Sequence, residues 1–242
     1  MNDYQFHLNS EIVLDARRAI WLPQSSVLAV ADLHLGYAWA QRYAGCLLPV
    51  SGPDEALPRL QVLQEEYCPR QLVFIGDIVH RAVPVAALEQ EFTNLVKKLG
   101  TRSEVIFVRG NHDKDLERLL RRCRLPVEWV LEHRAGPHVL LHGDSKSKQD
   151  AEEQLAAVRK NPGRIFIGHE HPATSIGDGV TTALKCPCFL VSEEVIVLPA
   201  FSSWAAGSTA RDGNYMSALA QRVTFTGMLP ILDGRFLPML SK

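Results

Sequence analysis

The sequence predicts an α/β fold in which strands and helices are arranged in layers. Short runs of apolar residues recur along the chain, and each run is followed at once by polar, glycine-containing residues. Segments with the apolar spacing of helices lie between these runs, and a β-rich stretch follows them. Apolar runs without polar alternation are typical of strands that are covered on both faces, so the sheet is expected to lie between other layers.

Five strands are predicted from the apolar runs. They are residues 27–31, 72–75, 105–108, 139–141 and 165–167. In the β-rich stretch from Val180 onward, residues 188–191 and 195–198 are predicted as two further strands that are joined by a turn. Strands separated by helices suit a largely parallel sheet, because parallel neighbours need long crossover connections.

Four helices are predicted between the strands. They are a helix that carries Leu60, Leu63 and Tyr67, and helices over residues 84–99, 115–123 and 149–160. Pro58 suits the first turn of the first helix, where its missing N–H has no partner to lose. Gly100 is a natural end for the helix over residues 84–99.

Composition excludes several classes of protein. The 242 residues are 46% hydrophobic and 22% charged, with 16 glycines and 14 prolines, which excludes collagen-like, low-complexity and disordered chains. The net charge of −1 gives no global basic field, so binding to nucleic acid would depend on a local patch. We expect one domain over residues 1–242, without a membrane span or a signal peptide, and a cytoplasmic location.

The five cysteines are expected to be reduced thiols, because their number is odd and their spacing is not that of a secreted scaffold. Cys186 and Cys188 form a single C-x-C pair, which is only a weak indication of a metal site.

Residues that can bind a metal ion follow each of the five predicted strands. They are Asp32, His34, Asp77, Asn111, His112, His142, His169 and His171. Taken singly, each has a structural explanation: Asp77 could form a turn, and Asn111 could accept a left-handed backbone. Their repetition at five strand ends predicts one shared site, because ligands of α/β sheets gather beyond the carboxyl ends of the strands.

The chemistry of this set predicts more than one metal ion. Carboxylates and imidazoles without a thiolate suit Mn²⁺, Fe²⁺, Zn²⁺ or Co²⁺ rather than a closed structural zinc site. The set is too large for one tetrahedral ion. Two ions about 3.5–4 Å apart that share one carboxylate would use all of it.

Five motifs resemble, in order, those of the calcineurin-like metallophosphoesterase superfamily. They are Asp32-x-His34, Gly76-Asp77, Gly110-Asn111-His112-Asp113, His142-Gly143 and Gly168-His169-x-His171. The segments ADLHLGYA, LLPVSGPDEAL, GNHDKD and GHEHPA are also similar to the PdeM family, the ligase-associated DNA damage response endonucleases of bacteria. The chain has Glu170 where those relatives often carry Leu. The resemblance implies a layered αββα sandwich with the metal site at the C-terminal ends of the strands.

The resemblance also implies a role for each residue. The first metal ion would be held by Asp32, His34 and His171, the second by Asn111, His142 and His169, and Asp77 would bridge both. Mn²⁺ is favoured, with Fe²⁺, Zn²⁺, Co²⁺ or Ni²⁺ as alternatives. His112 would be the catalytic acid beside the scissile phosphate. Asp113 would either orient His112 or cap the helix that follows.

The function implied is that of a phosphodiesterase or DNA endonuclease linked to DNA repair, with a metal-bridging hydroxide as the nucleophile. Single-stranded DNA is a candidate substrate, and a DNA ligase or helicase of a repair set is a candidate partner. The oligomeric state is left open.

Three alternatives are kept. One is a pyrophosphohydrolase of nucleotide-sugar lipids, but such enzymes typically have Arg at the position of His112 and an amphipathic lid, whereas residues 145–164 are strongly polar. The second is a phosphodiesterase of small molecules. The third is a scaffold that has lost catalysis, which would be expected to lack some of the ligands.

Two surfaces for nucleic acid are considered. One is a set of cations, Arg118, Arg121, Arg122, Arg124, Lys146 and Lys148, which could equally form a solvated face. The other is formed by aromatic residues after the first motif: Tyr37 and Trp39 could stack on bases or pack a loop, and packing is favoured. Trp21, Trp129 and Trp204 are predicted to lie in the core or in an interface.

Overall fold

A computed structural model describes residues 3–46, 56–81, 83–84, 86–125, 127–161, 163–177, 183–205, 207–210 and 213–241. Most of the segment LLPVSGPDEAL, residues 47–57, therefore lies outside the described residues.

The first sheet follows chain order. Its strands are β1 (Gln5–His7), β2 (Val13–Asp15), β3 (Ala19–Leu22), β4 (Val27–Ala31), β5 (Gln71–Ile75), β6 (Glu104–Val108) and β7 (Glu128–Val130). Strands β1 to β4 form an antiparallel meander, whereas β4 to β7 are parallel. The parallel half brings the C-terminal ends of β4, β5 and β6 to one edge of the sheet.

The second sheet is built from the rest of the chain. Its strands are β8 (Glu132–Ala135), β9 (His138–Leu141), β10 (Ile165–Ile167), β11 (Pro172–Gly177), β12 (Ala183–Val191), β13 (Val195–Val197), β14 (Ser208–Thr209), β15 (Gly227–Leu232), β16 (Arg235–Phe236) and β17 (Leu240–Ser241). The order along the sheet is β14-β11-β12-β13-β10-β9-β8, and β15 pairs with β12. Strands β9, β10 and β13 are parallel, so the ends of β9 and β10 also share one edge.

The helices cover the outer faces of the two sheets. They are α1 (Tyr37–Tyr43), α2 (Ala56–Tyr67), α3 (Ala86–Leu99), α4 (Leu116–Cys123) and α5 (Lys148–Lys160). Leu60 of α2 and Phe92 of α3 pack in one cluster with Phe74 of β5. Leu155 of α5 packs in another cluster with Ile165 of the second sheet.

The inner faces of the two sheets pack against each other. Ile75 of β5 and Phe166 of β10 belong to the same buried cluster, which lies between the sheets. The layers therefore run helix, sheet, sheet, helix, and the predicted αββα sandwich is confirmed. Among the described residues, no helix combines the length and the apolar character needed to cross a bilayer.

The predicted elements differ from the observed ones mainly at turns. The helix predicted over residues 115–123 begins at Leu116, because a 3₁₀ turn over Asp113–Asp115 comes first. The loop expected after the first motif is the short helix α1, which buries Ala40 and packs Trp39 against the core. The meander of β1, β2 and β3 was not predicted, because each strand has only three or four residues.

Candidate metal centre

The ends of β4 and β5 are joined by backbone hydrogen bonds. The N–H of His34 donates to the carbonyl of Asp77 at 2.8 Å, and the N–H of Leu35 donates to that of Ile78 at 2.9 Å. The two loops therefore extend the parallel pairing by a few residues, which holds the first two motifs side by side.

The two sheets are joined at the same place. The backbone N–H of His169, after β10, donates to both carboxylate oxygens of Asp32, at 3.2 and 3.1 Å. Asp32 is fully buried, so this contact fixes the last motif against the first.

An unusual backbone conformation marks the site. Asp32, His34, Asp77, His169 and His171 have φ angles of 54°, 47°, 48°, 66° and 43°, in the left-handed region. Such conformations cost about 1–3 kcal/mol each in residues other than glycine and tend to cluster at functional sites. These five residues are all predicted metal ligands, so the loops are shaped around the site.

Asn111 is not among the described residues with a positive φ. The alternative interpretation of Asn111 as a left-handed turn residue is therefore wrong.

One group of ligand atoms lies between β4, β5 and β10. The Nε2 atom of His171 is 3.3 Å from Asp32 Oδ1 and 3.3 Å from His34 Nε2. His34 Nε2 is 3.9 Å from Asp77 Oδ2. Each of these four residues offers a ligand atom within 4.8 Å of the others, an arrangement that could hold a metal ion.

A second group lies on the other side of Asp77. The Nε2 atom of His142 is 3.1 Å from Asn111 Oδ1 and 3.4 Å from Asp77 Oδ1. The ring of His169 packs edge-to-face against that of His142, with centroids 5.0 Å apart. Asp77 therefore presents one carboxylate oxygen to each group, and all seven predicted ligands are brought together.

The electrostatics of the site suit a metal ion. Burial acts to raise the pKa of Asp32, but the imidazoles of His171, His142 and His34 outweigh it and lower that pKa. Burial lowers the pKa of His34 to about 3 and also lowers the pKa of His169. An ionised carboxylate beside neutral imidazoles is the protonation state in which these residues bind a metal ion.

His171 differs from the other imidazoles. Burial acts to lower the pKa of His171, but the neighbouring carboxylate of Asp32 outweighs it and raises that pKa. A proton on His171 therefore stabilises the pair of buried groups, and a metal ion would replace that proton.

His112 lies at the mouth of the site. Its backbone N–H donates to Asp77 Oδ1 at 2.9 Å, and its Nε2 atom lies 4.0 Å from Asp77 Oδ2. Its side chain is 41% exposed, so it can reach a substrate from outside. This is the place expected for an acid beside the phosphate.

Asp113 makes neither of its two expected contacts within the described residues. Instead of the His112 ring or the N-terminus of α4, its Oδ1 atom accepts from the N–H of Ile78 at 2.9 Å and of Val79 at 3.3 Å. Its Oδ2 atom accepts from the N–H of Gly110 at 2.9 Å. Burial raises the pKa of Asp113 to about 7. Asp113 thus ties the loop after β5 to the loop after β6.

His80 is a residue of the site that the sequence analysis did not single out. Its ring is stacked on that of His112, with centroids 5.3 Å apart and planes 26° apart. Its carbonyl oxygen lies 3.1 Å from His112 Nδ1, and its Nδ1 atom lies 3.4 Å from His34 Nδ1. His80 lies in the loop after β5, three residues beyond Asp77, and this proximity to the second motif is its only signal in the sequence.

Two motif glycines make room for ligands. A Cβ atom at Gly110 would overlap the backbone nitrogen and the carboxylate of Asp77, and one at Gly168 would lie 2.6 Å from Asp32 Oδ2. Any side chain at either position would therefore displace a carboxylate of the site.

Glu170 has a structural role that the sequence did not indicate. Its carboxylate is 1% exposed and accepts from the backbone N–H groups of Met216 at 2.9 Å and Ser217 at 2.7 Å. It thereby fastens a C-terminal segment to the last motif.

Some candidate cations have partners within the fold. Arg121 forms an ion pair with Glu117 on its own helix, and Arg122 forms one with Glu89 of α3. These pairs favour the solvated-face interpretation of that cluster. Arg109 and Lys114 instead line a cleft of about 530 Å³ beside Asn111 and His142.

Comparisons with known proteins agree with this fold. Residues 25–132 match the family model of calcineurin-like phosphoesterases. The crystal structure of the nuclease MPE of Pseudomonas putida is 22% identical, covers 96% of this chain and 98% of its own, and superposes with a TM-score of 0.68. The fold is therefore shared along nearly the whole chain, and the resemblance predicted from the five motifs is confirmed.

Two other comparisons do not support an assignment. Protein AQ665 of Aquifex aeolicus is 15% identical, covers 59% of this chain and 77% of its own, and has a TM-score of 0.36. A search of curated proteins finds no match.

Proposed function

Residues 25–132 match the family model of the calcineurin-like phosphoesterases, and from this premise we propose that the protein is a binuclear phosphodiesterase that cleaves nucleic acid. The family match and the cluster of Asp and His side chains support a metal-dependent phosphoesterase. The finer proposal is an endonuclease acting on single-stranded DNA in DNA repair, in the cytoplasm.

The observation that carries the proposal is the position of Asp77 between two groups of ligand atoms. We assign Asp32, His34 and His171 to one ion, Asn111, His142 and His169 to the other, and Asp77 to both. Mixed oxygen and imidazole ligands suit Mn²⁺. When bound, the two ions would lower the pKa of water and neutralise charge on the phosphate.

His112 would act as the acid. In its protonated form, the His112 ring would carry one proton on each nitrogen. With Nδ1–H donating to the carbonyl of His80, the proton on Nε2 would face the site. Transfer of that proton to the leaving oxygen is worth roughly 10²–10⁴-fold in rate. A diester with an alkoxide leaving group needs this proton more than an ester whose leaving group is a stabilised anion.

Two observations favour nucleic acid as the substrate. The cleft beside Asn111 is lined by two cations, Arg109 and Lys114, and by two acidic residues, Glu132 and Asp144. The two cations suit the phosphates that flank the scissile one. MPE of Pseudomonas putida, which shares the fold, is described as a nuclease.

The alternatives are less well supported. Helix α5 lies in the segment where a lipid pyrophosphohydrolase would have its lid. It buries Ala151, Leu155 and Val158 in the core, and the residues that it exposes are mostly charged or polar, which does not suit acyl chains. A scaffold without catalysis does not explain why six other predicted ligands are gathered around Asp77.

The test is a metal and substrate panel. Protein purified with Mn²⁺ should contain two ions per chain and hydrolyse bis(p-nitrophenyl) phosphate and single-stranded DNA faster than p-nitrophenyl phosphate. Asp77→Asn should lose metal and activity, whereas Asp3→Asn, an exposed aspartate that pairs with Arg235, should keep both. One tightly held ion with all ligands intact, or a preference for the monoester, would contradict the proposal.

A further inference from the structure

A row of four rings runs from the candidate metal centre to the surface. His112 stacks on His80, with centroids 5.3 Å apart, and His80 packs against Tyr37 at 4.7 Å. Tyr37 stacks on Trp204 at 5.6 Å, with planes 16° apart. The row starts at the residue that we assign as the acid and ends at an aromatic ring in contact with solvent.

The two outer rings are held by the first motif. The backbone N–H of Tyr37, the first residue of α1, donates to the carbonyl of His34 at 3.2 Å. The N–H of Ser202 donates to the carbonyl of Asp32 at 3.2 Å, and the hydroxyl of Ser202 accepts from the N–H of Trp204 at 3.2 Å. Both rings are therefore positioned by residues that belong to the candidate metal centre.

The loop that carries Trp204 is also held by Arg18. The guanidinium of Arg18 donates to the carbonyls of Ala200 at 3.0 Å and Ser202 at 2.9 Å. A ring held in this way is preorganised for a ligand, since little order remains to be gained on binding.

Trp204 differs from the other tryptophans of the chain. Trp21, Trp39 and Trp129 pack against the core of the first sheet, and the Nε1 atom of Trp39 also donates to Glu91. Trp204 is 46% exposed, so it does not lie in the core, and the alternative that it lies in an interface stays a prediction. An exposed aromatic ring beside a catalytic centre is a surface on which a planar ligand can stack.

The charge beside the row suits a polyanion. Arg81 directly follows His80 and is exposed. Proteins that bind single strands combine stacking rings with cations that track the phosphates.

We propose that Tyr37 and Trp204 form a stacking subsite for one nucleobase of a single-stranded nucleic acid, on the leaving-group side of the scissile phosphate. The inference rests on the proposed function, and it adds the side of the substrate on which the protein holds a base. The leaving-group side follows from the position of His112 at the inner end of the row.

The experiment uses an oligothymidylate in which one nucleotide is replaced by an abasic residue. With the Mn²⁺-loaded wild type, we expect cleavage about 5- to 150-fold weaker at the bond that would place the abasic residue on the leaving side, since stacking of one base on an aromatic ring has that effect on binding. In Trp204→Ala this local weakening should vanish, and in Trp204→Phe it should largely return.

The control is Tyr43→Ala, which removes another exposed aromatic ring of the same helix as Tyr37. It should keep the wild-type cleavage pattern. The comparison is between the phosphodiester bonds of one oligonucleotide in one reaction. A variant that folds less well therefore lowers cleavage at all bonds together, and it neither creates nor removes the local effect.

An even pattern of cleavage past the abasic residue in the wild type would overturn the stacking subsite and leave the proposed function standing. So would a local weakening that persists in Trp204→Ala. A protein that hydrolyses bis(p-nitrophenyl) phosphate but cleaves no DNA would overturn both proposals.

Discussion

Asp113 accepts a hydrogen bond from the backbone N–H of Ile78 at 2.9 Å, across 35 positions of sequence. Its other carboxylate oxygen accepts from Gly110. The carboxylate is 2% exposed, so these amides have no water to replace it. The loop that carries Asp77 and the loop that carries Asn111 are therefore fixed to each other through one side chain.

We expect Asp113→Ala to destabilise the protein and to weaken metal binding. A buried donor left without an acceptor costs about 1–3 kcal/mol, and Asp113 serves three backbone amides. Asp113→Asn keeps one acceptor oxygen, so its stability and its metal binding should lie between those of the wild type and the alanine variant. Denaturant unfolding and metal analysis would measure both effects, and an alanine variant with wild-type stability would contradict this role.

His112→Ala should separate leaving-group effects from metal binding. Loss of the proton donor should slow cleavage of DNA, which has a poor leaving group, by roughly 10²–10⁴-fold. Hydrolysis of bis(p-nitrophenyl) phosphate should fall much less, with metal content near that of the wild type. His7→Ala, at an exposed position of β1, is the control. Equal losses on both substrates would mean that His112 acts through binding or metal geometry.

Glu170→Leu restores the residue often found in similar sequences, yet we expect it to lower stability here. The change leaves the N–H groups of Met216 and Ser217 without an acceptor. Each unsatisfied group lowers the free energy of unfolding by about 1–3 kcal/mol if it stays buried. Glu170→Gln retains one acceptor oxygen and should lower stability less than Glu170→Leu does. The melting temperatures of the two variants would test this, and a leucine variant as stable as the wild type would refute it.

His138 should contribute to acid sensitivity. Burial lowers the pKa of His138, and its Nδ1 atom accepts from the N–H of Arg164 at 3.1 Å, which requires an unprotonated nitrogen. Glu11 opposes this shift from 3.9 Å but does not reverse it. His138 therefore binds a proton more readily in the unfolded chain than in the folded protein. Its contribution to the free energy of unfolding is present above about pH 6.5 and is lost as the pH falls toward the lowered pKa.

His138→Asn keeps an acceptor near Arg164 but cannot titrate. Between pH 7 and 5, metal-free wild type should lose more free energy of unfolding than this variant, by up to about 1.4 kcal/mol per pH unit in the range where only the unfolded histidine is charged. The other histidines cancel in the comparison. Parallel pH profiles of the two proteins would show that His138 makes no contribution.

The fold was predictable where its cause is local. Strands such as Val27–Ala31 and Ile165–Ile167 are continuous apolar runs, and the sequence displays them directly. The positions after them were predictable as a site because parallel strands must end together. The strands of the N-terminal meander were not, because segments such as Gln5–His7 have no distinctive period.

What the sequence could not predict depends on contacts between distant segments. His80 follows the apolar pair Ile78 and Val79, so it does not stand out as part of a polar cluster. The role of Asp113 depends on amides that meet only in three dimensions. The exposure of Trp204 depends on how its loop is held at Asp32, which no local pattern indicates.

Gly110 and Gly168 have consequences for how sequence variants of this protein are interpreted. Neither residue has a functional group, yet each leaves the space that a carboxylate oxygen of Asp77 or Asp32 occupies. In a saturation screen scored by activity, these two positions should therefore tolerate as few substitutions as the ligand positions do. Even replacement by alanine should lower activity. A survey that ranks positions by chemical reactivity would overlook them, whereas one that ranks positions by tolerance would recover the outline of the metal centre.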